Sequence, residues 1–365
     1  MRLIDRYLLR HHLVPVAYCL CAFSLLFVLF DLFDRLAKIL DAQAPWHMIA
    51  LYYLAILSPS FEVIAPASLL LGTLYALWNL TRHNEITALR AGGQSFLRIL
   101  LPFVGVGLAF SFATAAVKEV VAPPAYRWAK TYAKNGFRNL RRQMQVNTLY
   151  YNDAARRVWS IGVFDWNRPR VFYDVKITQE RPNGSRVKEL VADRAEWLDG
   201  RWWFRNLRVN FYDPEDNPVV GQPLAAPQRA LCEVEELDER PRDFLEEITP
   251  WELLNARQMR RYLQRHTALT PDLRLQKIYD IHARLAIPWA CLVVTLFAVP
   301  VGAGGRRHNP LAGIFLAVGC FFAYYAFSQV GLFLARRQMI SPWLGAWLSN
   351  IIFLAAGLRM LLKTR

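Results

Sequence analysis

Six stretches of this sequence carry no charged residue: Leu13–Phe30, Val63–Thr81, Ile99–Val117, Leu285–Gly305, Pro310–Ala335 and Gln338–Leu358. Each is at least eighteen residues long, and a helix needs about 20 residues to cross the hydrocarbon core of a bilayer. Soluble helices seldom go so long without charge, which argues against a wholly soluble fold. Chemistry-bearing motifs are also missing. There is no Gly-x-x-x-x-Gly-Lys-Ser/Thr loop, so the chain does not hydrolyse nucleotides by that device. No His-Glu-x-x-His and no Gly-x-Ser-x-Gly occurs, which leaves a membrane-embedded hydrolase without support. The seven histidines are scattered, and the His11–His12 pair reads as a headgroup anchor rather than a metal site. Of five cysteines, only Cys232 lies in a long polar segment, so no disulfide framework is expected.

What is present is segregated. The chain is 54% hydrophobic with a net charge of +15. The apolar residues fall in blocks, and membrane topology accounts for much of the basic excess without invoking nucleic acid. The first run is too long for a usual signal sequence, and the bulky, charged "DLFDRLAKIL" that follows offers no small-residue cleavage site, so it reads as a retained span. If the N-terminus is cytosolic, the short inside segments hold eleven basic residues: Arg2, Arg6, Arg10, Arg82, Arg90, Arg98, Arg306, Arg307, Arg359, Lys363 and Arg365. The short outside loops hold four, Arg35, Lys38, Arg336 and Arg337. This bias predicts both termini on the cytosolic side.

Between the third and fourth runs lies a polar insert, placed outside by the same argument. "RRVWSIGVF" and "RVFYDVKIT" are rich in β-branched and aromatic residues, as strands are. Asn183-Gly184 marks a hairpin, and "KELVADRAEWL", "DGR" and "WWFRNLRVNFYD" continue the alternation. The pattern predicts an antiparallel sandwich or jelly roll over about 145–235. An amphipathic helix is expected over about 250–266, with Thr249 as cap and Glu252 completing a capping box, and "TALTPDLRLQ" as a linker after it. The expected division is 1–122 for spans one to three, 123–277 for the insert and 278–365 for spans four to six.

Several charges near the spans admit two readings. Arg127, Lys130, Lys134, Arg138 and Arg141 form one stripe on a helix, with no acidic residue between Glu119 and Asp153. The stripe is either a headgroup-facing surface, with Tyr126, Trp128 and Tyr132 as interfacial anchors, or a phosphate-binding rail for an anionic lipid. Asp31, Asp34, Arg35 and Lys38 either pair among themselves or offer Arg35 and Lys38 to a phosphate. Glu62, between Pro59 and Pro66, lies at the outer interface or faces the bundle interior, in a part of span two expected to kink.

"NEITALRAGG", Asn84 to Gly93, sits between the second and third spans on the expected cytosolic side. It is too polar to span and too short to fold alone. A partner surface would stabilise it, with Glu85 accepting charge-assisted hydrogen bonds and Ile86 and Leu89 as apolar anchors; an interfacial helix on the lipid surface is the other reading. In its setting, "PASLLLGTLYALWNLTRHNEITALRAGGQS" resembles the second span and coupling helix of the lipopolysaccharide export permease family, LptF/LptG, also called YjgP/YjgQ. "KEVVAPPA" resembles that family's exit from span three, and "WLGAWLSNIIF" its last span. "FDLFDRLAKIL" and "SPWLGAWLSN" lean toward the LptG type.

The resemblance implies an α-helical membrane protein with six transmembrane helices and an inserted all-β periplasmic domain, a β-jelly roll. It implies a permease subunit of an ABC-type transporter in the bacterial inner membrane, with a coupling helix near 82–93. Such a subunit extracts lipopolysaccharide and passes it to a periplasmic bridge. The implied partners are an LptB-type ATPase dimer, a paralogous LptF-type permease, and LptC-type and LptA-type proteins. ATP and magnesium belong to the ATPase, and no cofactor is expected on this chain. The coupling residues would be Glu85, Ile86, Leu89 and Arg90, and the lipid contacts Arg35, Lys38, Arg127, Lys130 and Lys134. Competing readings are a non-transporting scaffold whose β domain binds a periplasmic protein, and a permease for another envelope lipid or a lipoprotein. The usual four-span layout of lipoprotein-releasing transporters does not match.

Overall fold

A computed structural model of the chain describes residues 3–137, 144–165, 170–219, 231–234, 236–266, 269–303 and 310–363. In chain order, its first helices are α1 (Leu3–Asp41), α2 (Trp46–Arg82), α3 (Glu85–Ala91), α4 (Phe96–Ala116), a π-helical turn (Val117–Val121) and α5 (Ala122–Lys134). Seven strands follow: β1 (Met144–Asn152), β2 (Arg157–Asp165), β3 (Val171–Glu180), β4 (Arg186–Leu198), β5 (Arg201–Arg205), β6 (Arg208–Phe211) and β7 (Leu231–Glu233). Then come α6 (Pro241–Ile248), α7 (Ala256–Arg265), α8 (Pro271–Ala286), a short 3-10 turn (Ile287–Trp289), α9 (Ala290–Ala303), α10 (Pro310–Arg336) and α11 (Pro342–Lys363).

The chain divides into two compact units, Met1–Arg138 with Pro271–Arg365, and Asn139–Thr270. The insert is therefore shorter than 123–277. At its start, α5 packs on α2 through Ala129 and Tyr132, which join Tyr52, Tyr53 and Phe137 in one core cluster. At its end, "PDLRLQ" is the first part of α8 rather than a linker.

The helical unit contains six helices, among the described residues, that are long and apolar enough to cross a membrane: Leu3–Asp41, Trp46–Arg82, Phe96–Lys134, Pro271–Pro300, Val318–Arg336 and Pro342–Met360. In lipid every backbone polar group must find its partner inside the protein, and side chains here sit at the breaks. Helix α2 stays continuous through Pro59 and Pro66. Proline removes the N–H that would serve the carbonyl four residues earlier. Ser58 Oγ donates to the Ala55 carbonyl at 2.7 Å, and the Tyr325 hydroxyl approaches that of Glu62 at 3.5 Å. Pro288 interrupts the fourth span, and Asn350 Nδ2 donates to the Ala286 carbonyl at 2.8 Å while its Oδ1 accepts from Tyr324. The Leu292 N–H, in the first turn of α9, is taken by Ser111 Oγ at 3.1 Å. Helices approach closely where side chains vanish: a Cβ built on Gly72 would lie 2.7 Å from Val16 Cα on α1, the small-residue contact usual between membrane helices.

The polar unit is built on one antiparallel sheet in the order β1-β2-β3-β4-β5-β7, with β6 also on β4. The expected two-sheet sandwich is not the arrangement of the described strands. Its second layer is helix α6, whose Phe244 packs against Tyr150, Trp159, Phe172 and Trp202. "WWFRNLRVNFYD" is broken into β5 and β6 at Asn206, which adopts φ 57°, and Leu207 turns into the core. The Asp199-Gly200 turn has φ 51° and 83°, the positive pair that a tight hairpin demands.

The amphipathic helix starts later than expected. Thr249 closes α6 by donating to the Leu245 carbonyl, and Trp251–Leu253 is a separate turn. Asn255 is the true cap of α7: it accepts from the Gln258 N–H at 2.8 Å while Gln258 Oε1 accepts from the Asn255 N–H at 2.9 Å. An asparagine before a free turn outcompetes the upstream threonine, whose hydroxyl is already spent. Helix α7 then places Arg261 and Arg265 on the buried carboxylates Glu246 and Asp243 of α6. All five cysteines are free thiols.

His266, after α7, faces Glu247, Tyr262 and Asp153. Burial lowers its pKa, but the Glu247 carboxylate and the Tyr262 carbonyl outweigh burial, and the net pKa is raised. A raised folded-state pKa means that the folded form binds the proton more tightly, so this contribution is complete below the ordinary histidine value of about 6.5 and is lost as pH rises through the folded value. Unfolding of the polar unit in the full chain, followed by tryptophan fluorescence, should therefore shift to lower temperature as pH rises through that range. His266→Gln should flatten the dependence, and an unchanged pH profile in that variant refutes the assignment.

Candidate functional site

Two groups of charged residues stand out in the helical unit, at opposite ends of its bundle. The first surrounds α3. Asn84 precedes it in the left-handed conformation, φ 58°, and Gly93 follows it at φ 82°, so α3 is cut off from the helices on both sides. Ile86 is 6% exposed and packs with Leu8, Leu80 and Phe96. Its expected role as an anchor for a partner is therefore corrected: it seats the short helix on its own bundle, because a seven-residue helix holds its place only by burying an apolar side chain. Leu89 is half-buried against the same cluster. The outward surface is Thr87, Ala88, Arg90 and Ala91, with Glu85 half-exposed at its edge and the Arg90 guanidinium 5.7 Å from the Phe96 ring. The Glu85 carboxylate accepts from the Tyr7 hydroxyl at 2.7 Å.

The anchor reading is corrected for His12. His12 is fully buried, with Nε2 2.8 Å from Thr73 Oγ1 and its ring against Phe103. The His11 ring lies 4.3 Å from that of Tyr7. His12 serves helix packing rather than headgroup contact, because the first span crosses α2 there.

The second group lies at the end of the bundle that leads to the insert. Arg35 pairs with Asp31 at 2.9 Å, and Tyr52 donates to the other Asp31 oxygen at 3.3 Å. Of the two readings for this cluster, mutual pairing holds for Arg35, while Lys38 is exposed. On α5, Lys130 and Lys134 are exposed and Arg127 is half-buried. Tyr132 is buried and stacks on Trp128 at 5.3 Å, so it is a core residue rather than an interfacial anchor. Arg138 and Arg141 lie outside the described residues.

Four charges within or beside the spans form pairs around the π-helical turn. Lys118 bonds Glu62 of α2, and Glu119 accepts from Arg284 Nε of α8 at 2.6 Å. Arg284 Nη2 also donates to the Lys118 carbonyl at 2.6 Å, next to the widened helical turn. Glu62 thus faces other helices. Lys118, Glu119 and Arg284 were given no role from sequence, although they stand at the borders of apolar runs. No group of residues suited to a metal ion occurs among the described residues.

A family model described as "Lipopolysaccharide export system permease LptF/LptG" matches residues 6–363. The chain belongs to the LptF/LptG family. Comparison with curated individual proteins finds no match. LptF/LptG proteins are lipopolysaccharide export permeases, transport subunits rather than enzymes, and this LptF/LptG chain is a multi-pass membrane protein. The match covers both units, so the insert is part of the LptF/LptG architecture.

Breaking a buried pair leaves a charge uncompensated at a cost of about 3 kcal/mol, whereas removing both partners restores much of it. Arg284→Met should lower the temperature at which buried Cys291 becomes reactive to a thiol dye, and Glu119→Gln added to it should recover most of the loss. Equal midpoints for all three proteins would show that the pair holds nothing.

Proposed function

We propose that this chain is the LptG-type permease subunit of an ATP-driven exporter that draws lipopolysaccharide from the bacterial inner membrane and passes it to a periplasmic bridge. The observation that carries this reading is α3: a short helix between two spans, seated on its own bundle by Ile86, with Glu85 and a small-residue face turned outward. A transport subunit with no nucleotide-binding loop needs such a handle. An LptB-type ATPase dimer grips it, and ATP and magnesium are used there, so this chain binds no cofactor. An LptF-type paralogue completes the cavity, and LptC-type and LptA-type proteins form the bridge.

The excess of basic residues at the α3 end supports a cytosolic α3 and cytosolic termini. The insert is then periplasmic. At that side Lys38, Lys130 and Lys134 are the exposed cations for lipid phosphates, while Arg35 is engaged by Asp31 and Arg127 is partly covered. Closure of the ATPase drives the two coupling helices together and collapses the cavity. Acyl chains leaving an apolar cavity lose about 0.8 kcal/mol per methylene, which sets the scale of work the motor supplies.

Glu85→Arg, in the full complex, should lose the copurifying ATPase and abolish export while the permease still accumulates in the membrane. Retention of both ATPase and export removes Glu85 from the coupling role. Independently, photocrosslinkers at Lys38 and Lys130 should yield lipopolysaccharide adducts whose amount changes with ATP. A scaffold that transports nothing would give none.

A further inference from the structure

The first turns of α1 embrace the short helix. Tyr7 donates to Glu85 Oε2, and the His11 ring one turn later lies against the Tyr7 ring. Leu8 is buried in the cluster that holds Ile86, with Ile4 and Leu89 packed at its edge. Asp5 accepts from Arg98, in the first turn of α4, at 3.0 Å. Residues 4–8 of α1 therefore touch α3 and the start of the helix that follows it.

We infer that Tyr7 is a positioning residue that ties the coupling carboxylate to the first span, so that displacement of α3 is delivered to α1 as a lever. The inference rests on the reading that Glu85 is gripped by the ATPase. A carboxylate has two oxygens, each able to accept more than one hydrogen bond. Tyr7 occupies Oε2 and leaves Oε1 for a partner's cation, so both contacts coexist.

The backbone is a poor route for the same force. Left-handed residues interrupt the helical rod on both sides of α3, at Asn84 and Gly93. Each interruption is a joint where φ and ψ can absorb motion. A side-chain link across to α1 bypasses both joints.

Helix α1 is suited to receive it. It is one helix of 39 residues from Leu3 to Asp41, with Pro15 inside it beside the first crossing with α2. It meets α2 at two places: near its start His12 bonds Thr73 and Val16 lies against Gly72, and near its end Asp31 accepts from Tyr52 while Ile39 is buried with Tyr52 and Tyr53. Beyond the first crossing, Tyr18, Leu25, Phe30 and Phe33 are exposed. Tyr7 stands before the first of these contacts, so a push there turns the start of the span about His12 and Val16.

The test uses the full complex in nanodiscs containing lipopolysaccharide, with Tyr7→Phe, which removes only the hydroxyl of a side chain that is 41% exposed. ATPase copurification and ATP turnover should stay near wild type, while lipopolysaccharide released per ATP falls roughly three- to ten-fold, the scale of one ordinary, partly exposed hydrogen bond. Spin labels at Arg6 and Ala88 should keep one distance in the nucleotide-free and nucleotide-bound wild-type complex, and spread to a broader distribution in Tyr7→Phe. An unchanged release ratio, or a wild-type distance that differs between the two states, overturns the lever. Glu85→Arg in the same preparation reports separately on the grip: if that variant still assembles and exports, the coupling role itself falls.

Discussion

The joins between helices in the helical unit answer to the requirement that backbone groups find partners inside lipid. Prolines at 59, 66 and 288 and the π-helical turn are places where the helical ladder alone fails, and each is met by a named side chain. Ser58, Tyr325 and Asn350 supply donors, Ser111 an acceptor, and Arg284 reaches the Lys118 carbonyl. These contacts come from neighbouring helices in all but one case. The breaks in the spans are therefore also what joins them to each other.

The same economy explains why charge is tolerated near the spans. Lys118 and Glu119 are adjacent in sequence yet point to different partners, Glu62 on α2 and Arg284 on α8. A pair of opposite charges on neighbouring residues would gain little from each other; separated onto two helices they bind the unit at two places. The wider turn of a π-helix is a common site for such local rearrangement. Pro123 and Pro124 follow at once, opening α5.

Much of this was legible in the sequence because composition carries it. Six uncharged runs gave six spans, and alternating "VWSIGVF" with its turn residues gave strands. The resemblance around "NEITALRAGG" found the short helix. Partners in space were not legible. Nothing in the spacing of Tyr7 and Glu85, or of Glu119 and Arg284, links residues 78 and 165 positions apart. Ile86 and Tyr132 read as outward anchors because periodicity says which residues share a face, not which face turns inward. The displaced cap of α7 had a local cause: Thr249 and Asn255 both suit the role, and only the preceding helix α6, unnoticed in the sequence, decides between them.

The Glu119–Arg284 pair has one further implication. Glu119 stands just before the helix that leads into the insert, and Arg284 stands on the helix that leads out of it. The host is thus stitched shut at the neck of its own large loop, and the closure entropy of that loop is met locally rather than by the β unit. A scaffold fastened in this way can host a foreign cargo in place of the native one, which makes the neck a natural splice point for swapping inserted domains between relatives.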